Sequence, residues 1–212
     1  MESASVPLPS AAAHDDHHHH GPPEANQSSR MDRATLGILL FIISEAMLFG
    51  AFFASYFFLR VVAADGDWVA PNDVEMPVMA ALINTIILVS SSVTVHWAVD
   101  GIKRGNRFAL KAGLGLTWLL GATFLFIQLN EYIHIGFSIR DGAFGSIFYG
   151  LTGLHGAHVF VGLLLLTFAN IRAWRGHFGP KPQDHLGVEL PSIYWHFVDV
   201  MWIVVFLAIY IV

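Results

Sequence analysis

Five long apolar blocks constrain this chain more than any other feature of its sequence. Each is long enough to cross a hydrocarbon core of about 30 Å, which takes about 20 residues in a helix. Segments in lipid must satisfy their own backbone hydrogen bonds, and these blocks do not alternate as barrel strands do. The sequence therefore predicts an all-α, polytopic membrane bundle of five transmembrane helices. They cover about residues 35–62, 78–99, 112–135, 146–171 and 192–212.

Composition supports the membrane class and excludes several chemistries. Hydrophobic residues make up 55% of the chain and charged residues 13%, whereas soluble domains are about 25% charged. The chain contains no cysteine, which excludes disulfides, thiolate metal sites and cysteine nucleophiles. It also has no phosphate-binding loop, dinucleotide fingerprint, zinc-protease motif or serine-triad signature. We expect no nucleic-acid partner.

The first 30 residues differ from the rest. They are rich in Pro, Ser, Ala and His and contain almost no large apolar side chain, so residues 1–30 are predicted to be a disordered tail and 31–212 the transmembrane domain. The tail has no apolar stretch behind a basic start, so it is not a signal peptide. The run from His14 to His20 is either a metal-binding tract or a low-complexity tail of natural or cloning origin.

The connections between the blocks predict the orientation. Of the 11 Lys and Arg residues, nine precede the first block or lie in the second and fourth connections, and two, Arg60 and Arg140, lie on the other side. The positive-inside rule then places the N-terminus in the cytoplasm and the C-terminus outside.

Glu45 lies about ten residues into the first block. A charge at the bilayer centre costs between about 3 and 17 kcal/mol, so a carboxyl at this depth requires a partner or a function. Phe49, Phe52 and Tyr56 share its helical face, and an aromatic surrounding favours the neutral acid. Two interpretations remain open: a proton-handling carboxyl, or a neutral acid hydrogen-bonded across a helix interface.

The third block ends with Gln128 and Glu131 on one face. Glu131 and His134 also form Glu-x-x-His, which is half of the di-iron motif of carboxylate bundles. The chain has no second copy of this motif. The alternative is that Glu131 nears the outer interface and pairs with a His or an Arg.

The fourth block carries His155 and His158, which are neighbours on a helix surface because they lie three residues apart. They could ligate haem or copper, but no third ligand is spaced for a closed site. The alternative is that each hydrogen-bonds a carboxyl on a neighbouring helix, for instance Glu131 or Glu45.

The remaining polar candidates lie in the second and fifth blocks. Asn84 lies in the second block and is expected to hydrogen-bond between helices. His196 and Asp199 either pair locally or Asp199 reaches another helix. Tyr194 and Trp195 fit a membrane-interface belt, and Trp202 extends a stripe formed by Trp195 and Asp199. These observations leave three classes open: an accessory subunit of a membrane complex, an intramembrane di-metal enzyme, and a proton-linked transporter.

Ordered motifs resemble one family. SEAMLFGAFFASYFF and LINTIILVSSSVTVHWA resemble the Ser-Glu-aromatic segment and the Leu-Asn-Thr helix of subunit III of cytochrome c oxidase. QLNEY, followed by FSIRDGAFGSIFYGLTGLHGAHVFVG, resembles its Gln-x-x-Glu-Tyr, Asp-Gly-x-x-Gly-Ser and Thr-Gly-x-His-Gly-x-His-Val segments. YWHFVDVMWIVVF resembles its C-terminal Tyr-Trp-His-Phe-Val-Asp signature.

The resemblance implies a non-redox, non-catalytic subunit of a haem–copper terminal oxidase that reduces dioxygen and pumps protons. It implies that haems and copper lie in the partner subunits I and II, with no metal or cofactor in this chain. It also implies bound phospholipid, support of proton uptake and protection of the catalytic subunit. Glu45 corresponds to the family's intramembrane glutamate, Glu131 to the Glu of Gln-x-x-Glu-Tyr, and His155 and His158 to its paired histidines.

The long form of the family has seven helices, and this chain is similar to its last five and to the shorter bacterial form. The resemblance implies the bacterial plasma membrane, with a small subunit IV as a further partner. Another subunit would fill the place of the two helices that border the family's lipid cleft. The electron donor is either cytochrome c or quinol.

Overall fold

The computed structural model describes residues 32–62, 78–178 and 182–211, and these residues form five helices and no strand. The helices are α1 (Arg33–Val62), α2 (Val78–Lys103), α3 (Arg107–His134), α4 (Gly142–Trp174) and α5 (Pro182–Phe206), which continues as a π-helical turn over Leu207–Ile211. Each is long and apolar enough to cross a membrane. The predicted all-α bundle of five transmembrane helices is confirmed, whereas the predicted tail, residues 1–30, lies outside the described residues.

Several helices begin before the apolar block that predicted them. α3 begins at Arg107 because the side chain of Asn106 caps its first turn, accepting from the backbone N–H of Phe108 and of Ala109, each at 3.1 Å. α5 begins at Pro182, ten residues before the block at 192. Polar residues outside the hydrocarbon extend these helices, and hydropathy alone does not detect them.

Four of the helices enclose the core. α2 packs against α3 and α5, α4 packs against the same two helices, and α1 lies in the groove between α4 and α5. The largest fully buried side chains come mainly from α5 and its neighbours and include Trp195, Trp202 and Phe124. α1 is peripheral, and its buried residues are Phe49 and Tyr56.

Glycines allow the closest approaches between helices. A Cβ atom at Gly113 would lie 2.8 Å from the Cβ of Ala98 and 2.9 Å from the carbonyl oxygen of Thr94, so α2 and α3 touch there through their backbones. Cβ atoms at Gly121 and Gly162 would lie 2.5 and 2.7 Å from ring atoms of Trp195. Small residues of this kind drive helix association in lipid through close packing.

We predict that Gly113→Ala destabilises the bundle, because the added methyl group meets the backbone of α2. Overpacking of this kind costs about 1–3 kcal/mol, against a gain in helix propensity of at most about 1 kcal/mol. The measurement is the thermal unfolding midpoint of the protein purified in detergent. Gly115→Ala is the matched control, because nothing lies within 4 Å of a Cβ at that position. Equal midpoints for the two variants would contradict the close contact.

Candidate functional site

The Glu45 carboxyl pairs with His158 across the interface of α1 and α4. Glu45 Oε2 lies 3.0 Å from His158 Nε2, and the two side chains are 21% and 9% exposed. Phe49 packs its ring 5.0 Å from the imidazole. The predicted aromatic face of α1 therefore points into the bundle and carries a carboxyl–imidazole pair.

The other imidazole nitrogen fixes how many protons the pair holds. His158 Nδ1 lies 2.8 Å from the carbonyl oxygen of Leu154, one turn earlier in α4. A carbonyl only accepts, so Nδ1 carries a proton. Nε2 and Glu45 Oε2 then share one further proton, either as neutral acid and neutral imidazole or as carboxylate and imidazolium. The pair is neutral overall in both forms, which is how a buried carboxyl avoids an uncompensated charge.

A second polar cluster joins α2 to α5. The Ser92 hydroxyl donates to Asp199 Oδ2 and lies 3.1 Å from His196 Nδ1. Of the two arrangements left open by the sequence, Asp199 reaches another helix, and His196 reaches the same serine. Asp199 is buried, and the Ser92 hydroxyl supplies the hydrogen bond that a polar group in the core requires.

The three aromatic residues expected near an interface lie inside the bundle instead. Tyr194, Trp195 and Trp202 are at most 1% exposed. Trp195 Nε1 donates to Ser91 Oγ at 2.8 Å, and Trp202 Nε1 donates to Thr85 Oγ1 at 2.9 Å. The two tryptophans differ from the sequence expectation because hydroxyls on α2 satisfy their N–H groups, which removes the need for water or lipid headgroups.

The Tyr194 hydroxyl donates to the carbonyl oxygen of His158 at 3.3 Å, so α5 also contacts the residue that pairs with Glu45.

The structure does not bring Glu131 and His134 together as ligands. Glu131 Oε1 accepts a hydrogen bond of 3.1 Å from the hydroxyl of Tyr210, and His134 is exposed and contacts the carbonyl oxygen of Asn130. Among the described residues, no three His, Asp or Glu side chains are grouped as metal ligands. The pairing of Glu131 with a His or an Arg, expected as the alternative, is replaced by pairing with a tyrosine.

The remaining candidates hold α2, α3 and α4 together. Asn84 Nδ2 donates to the carbonyl oxygen of Phe124 at 3.3 Å, and Gln128 Nε2 donates to that of Thr152 at 3.4 Å. His155 is fully buried, and within the described residues neither of its nitrogens has a hydrogen-bond partner. Its ring packs against Phe124 and Trp202, so of the two histidines in α4 only His158 meets the expected carboxyl.

Sequence reasoning missed the partners that complete these contacts. Thr85, Thr152 and Tyr210 each supply a hydroxyl, and Tyr132 donates to Thr152 Oγ1 at 2.7 Å. One signal was available for Tyr210: it and Glu131 each lie within one turn of the end of an apolar helix, so their side chains can meet there.

The comparisons with known proteins identify the family. A model of cytochrome c oxidase subunit III matches residues 24–212. The chain belongs to the cytochrome c oxidase subunit III family. Cytochrome c oxidase subunit 3 of Thermostichus vulcanus is 40% identical over 85% of this chain and 88% of that protein. The probable subunit 3 of Rickettsia bellii is 42% identical over 83% and 68%, and the rabbit (Oryctolagus cuniculus) subunit 3 is 37% identical over 82% and 67%.

Membership of the subunit III family selects among the three classes left open by the residues. The chain is a multi-pass membrane subunit of a haem–copper oxidase complex, and the di-metal enzyme and the transporter are not favoured. The chain covers a larger share of the Thermostichus protein than of the Rickettsia and rabbit proteins, because the latter two extend further beyond the matched region.

We predict that Glu45 and His158 are energetically coupled in this subunit. Glu45→Leu leaves the His158 imidazole unpaired, and His158→Leu leaves the carboxyl unpaired. The losses of unfolding free energy in the two single variants should therefore add up to more than the loss in the double variant. A double-mutant cycle on thermal unfolding should give a coupling of about 1–3 kcal/mol. Tyr210→Phe, which removes the hydroxyl that contacts Glu131, should combine additively with Glu45→Leu. Additivity of the Glu45 and His158 changes would contradict the pair.

Proposed function

We propose that this subunit works in its oxidase complex without a redox centre of its own and supports the subunit that reduces dioxygen. The haems and copper are expected in subunits I and II, with a small subunit IV as a further partner and cytochrome c or quinol as the donor. The contacts of the two histidines of α4 support this proposal. His158 is paired with Glu45, and His155 is enclosed by the rings of Phe124 and Trp202.

The Glu45–His158 pair is the observation that carries the protonic part of the proposal. The pair holds a single exchangeable proton between Oε2 and Nε2, and moving it requires no net charge in the bundle. Glu45 keeps 21% of its side chain exposed on the outer side of α1, so a neighbouring subunit of the complex could contact it. We propose that this proton, together with bound phospholipid, supports proton delivery to the catalytic subunit and its durability during turnover.

The proposed location is the plasma membrane of a bacterium, with the N-terminus in the cytoplasm. The support is the charge asymmetry of the chain. Nine of its 11 Lys and Arg residues precede the first apolar block of the sequence or lie in the second and fourth connections between blocks.

The first test concerns assembly. Affinity purification of the tagged chain from native membranes in mild detergent should recover a haem-containing partner, identified by its visible absorption and by mass spectrometry. The chain separated from its partners should show no haem or copper absorption. A stable isolated chain that is metal-loaded and catalytically active would overturn the proposal, as would solute or proton transport by proteoliposomes that contain this chain alone.

The second test concerns Glu45. In Glu45→Gln the amide nitrogen donates to His158 Nε2, so the contact with α4 survives while the exchangeable proton is lost. We expect the complex to assemble with a stability change below about 1 kcal/mol, but to turn over more slowly or inactivate sooner. The measurement is oxygen consumption by the purified complex followed over many turnovers.

Glu131→Gln is the matched control, because that carboxyl accepts from Tyr210 rather than sharing a proton with an imidazole. It should change neither rate nor durability. Failure of Glu45→Gln to assemble would show that Glu45 is structural, and an unchanged time course would show that its proton is not used.

A further inference from the structure

A groove runs along the outer surface between α3 and α4 at the end of the bundle where α2 connects to α3. It is a cavity of about 370 Å³, referred to below as the α3–α4 groove. It is lined by Trp118 and Trp174, by Gly115, Thr167, Asn170 and Ile171, and by Arg175. No residue of α1 lines it, so it is separate from the surface that carries Glu45.

Apart from Arg175, the hydrogen-bond donors of the side chains that line the groove are already occupied. Trp118 Nε1 donates to Thr167 Oγ1 at 2.9 Å, and Thr167 in turn donates to the carbonyl oxygen of Leu163 at 2.7 Å. The Asn170 amide donates to the carbonyl oxygens of Leu114 and Leu166 at 3.3 and 3.0 Å. What the groove offers to a ligand is therefore apolar surface at membrane depth.

A smaller basic cavity adjoins the groove. It has a volume of about 130 Å³ and shares Trp174 and Arg175 with the groove. Arg107 and Lys111 complete its cationic lining, and they are referred to with Arg175 as the basic pocket. No carboxylate lines either cavity, and within the described residues no ion pair neutralises these three cations. The neighbouring cations Lys103 and Arg104, by contrast, pair with Glu189 and Asp100.

The two cavities follow one another along the helices: the basic one is lined mainly by the start of α3 and the end of α4, and the groove by residues further into both helices. Lys111 Nζ lies 4.9 Å from the ring centre of Trp174, which is 69% exposed, and Lys and Trp at helix ends are the side chains that typically lie at a membrane interface. Trp118 follows Lys111 by seven residues, which is about 10 Å along a helix. The groove thus runs from headgroup depth into the hydrocarbon region.

We propose that the α3–α4 groove and the basic pocket together bind one anionic phospholipid, with its phosphate on Arg107, Lys111 and Arg175 and an acyl chain between Trp118 and Trp174. A free phosphate would leave the apolar groove unoccupied. A zwitterionic lipid carries a cation in its headgroup, which the three cations of the basic pocket would repel. An anionic phospholipid matches both parts. This inference names the position and the chemical class of one bound lipid, and it rests on the proposal that this subunit binds phospholipid.

The charge test uses the oxidase complex purified from its membrane. Native mass spectrometry should count one more retained anionic phospholipid on the wild type than on Lys111→Gln/Arg175→Gln. Rebinding of phosphatidylglycerol in nanodiscs should weaken roughly 30-fold in the variant, since each cation near the membrane surface contributes about fivefold. The control, Lys103→Gln/Arg104→Gln, makes the same charge change at the same end of the bundle and should keep the lipid.

The acyl-chain test leaves every cation in place. Gly115→Leu puts a side chain into the groove, and a Cβ there meets nothing within 4 Å, so the helix tolerates it. It should lower lipid retention as the charge variant does, whereas Gly37→Leu on α1, also in open space, should not. Inorganic phosphate in excess should displace nothing. Displacement by phosphate would show an ion site instead of a lipid site.

Two outcomes separate this inference from the wider proposal. A wild-type complex that retains no phospholipid would contradict lipid binding by the subunit altogether. Lipid that is retained equally by the wild type, the charge variant and Gly115→Leu would overturn the α3–α4 site and leave lipid binding elsewhere on the complex intact.

Discussion

Trp195 is the side chain on which the rest of this bundle depends. Its ring fills space left by Gly121 of α3 and Gly162 of α4, and its N–H donates to Ser91 of α2. One residue of α5 therefore contacts all three other helices of the core. Apolar side chains gain little free energy by moving from lipid into a protein interior, so close packing and interhelical hydrogen bonds hold a membrane bundle together. Trp195 supplies both.

The periphery is held differently. α1 inserts Phe49 into the core, and two polar contacts fix its position along the bundle: Glu45 with His158, and the Tyr56 hydroxyl with the carbonyl oxygen of Ala208. Most of its remaining surface is apolar and faces outward. The helix that carries Glu45 is thus the one with the least packing against the other helices. The Glu45–His158 pair therefore contributes to the attachment of α1 as well as to any protonic role.

The helices were predictable because they follow from hydropathy, which depends on each segment alone. The partner of each polar residue was not. Glu131 meets Tyr210 and His155 meets aromatic rings, and neither pairing is encoded by spacing within one helix. Partner identity depends on which helices are neighbours and how each is rotated. The inward position of Trp195 and Trp202 was missed for the same reason, since a tryptophan near a helix end reads as an interface residue until a buried hydroxyl is found for its N–H.

Two acids of the core have a histidine nearby, and they differ in how that histidine is reached. Asp199 accepts from the Ser92 hydroxyl, and His196 contacts the same hydroxyl, so the carboxyl and the imidazole do not touch directly. Glu45 faces an imidazole whose second nitrogen is committed to a carbonyl, so a proton can pass between the two groups without changing the net charge of the bundle. A site that exchanges protons in lipid needs this neutrality in both of its states. Among the acids in the described helices, Glu45 is the one that touches an imidazole directly inside the bundle.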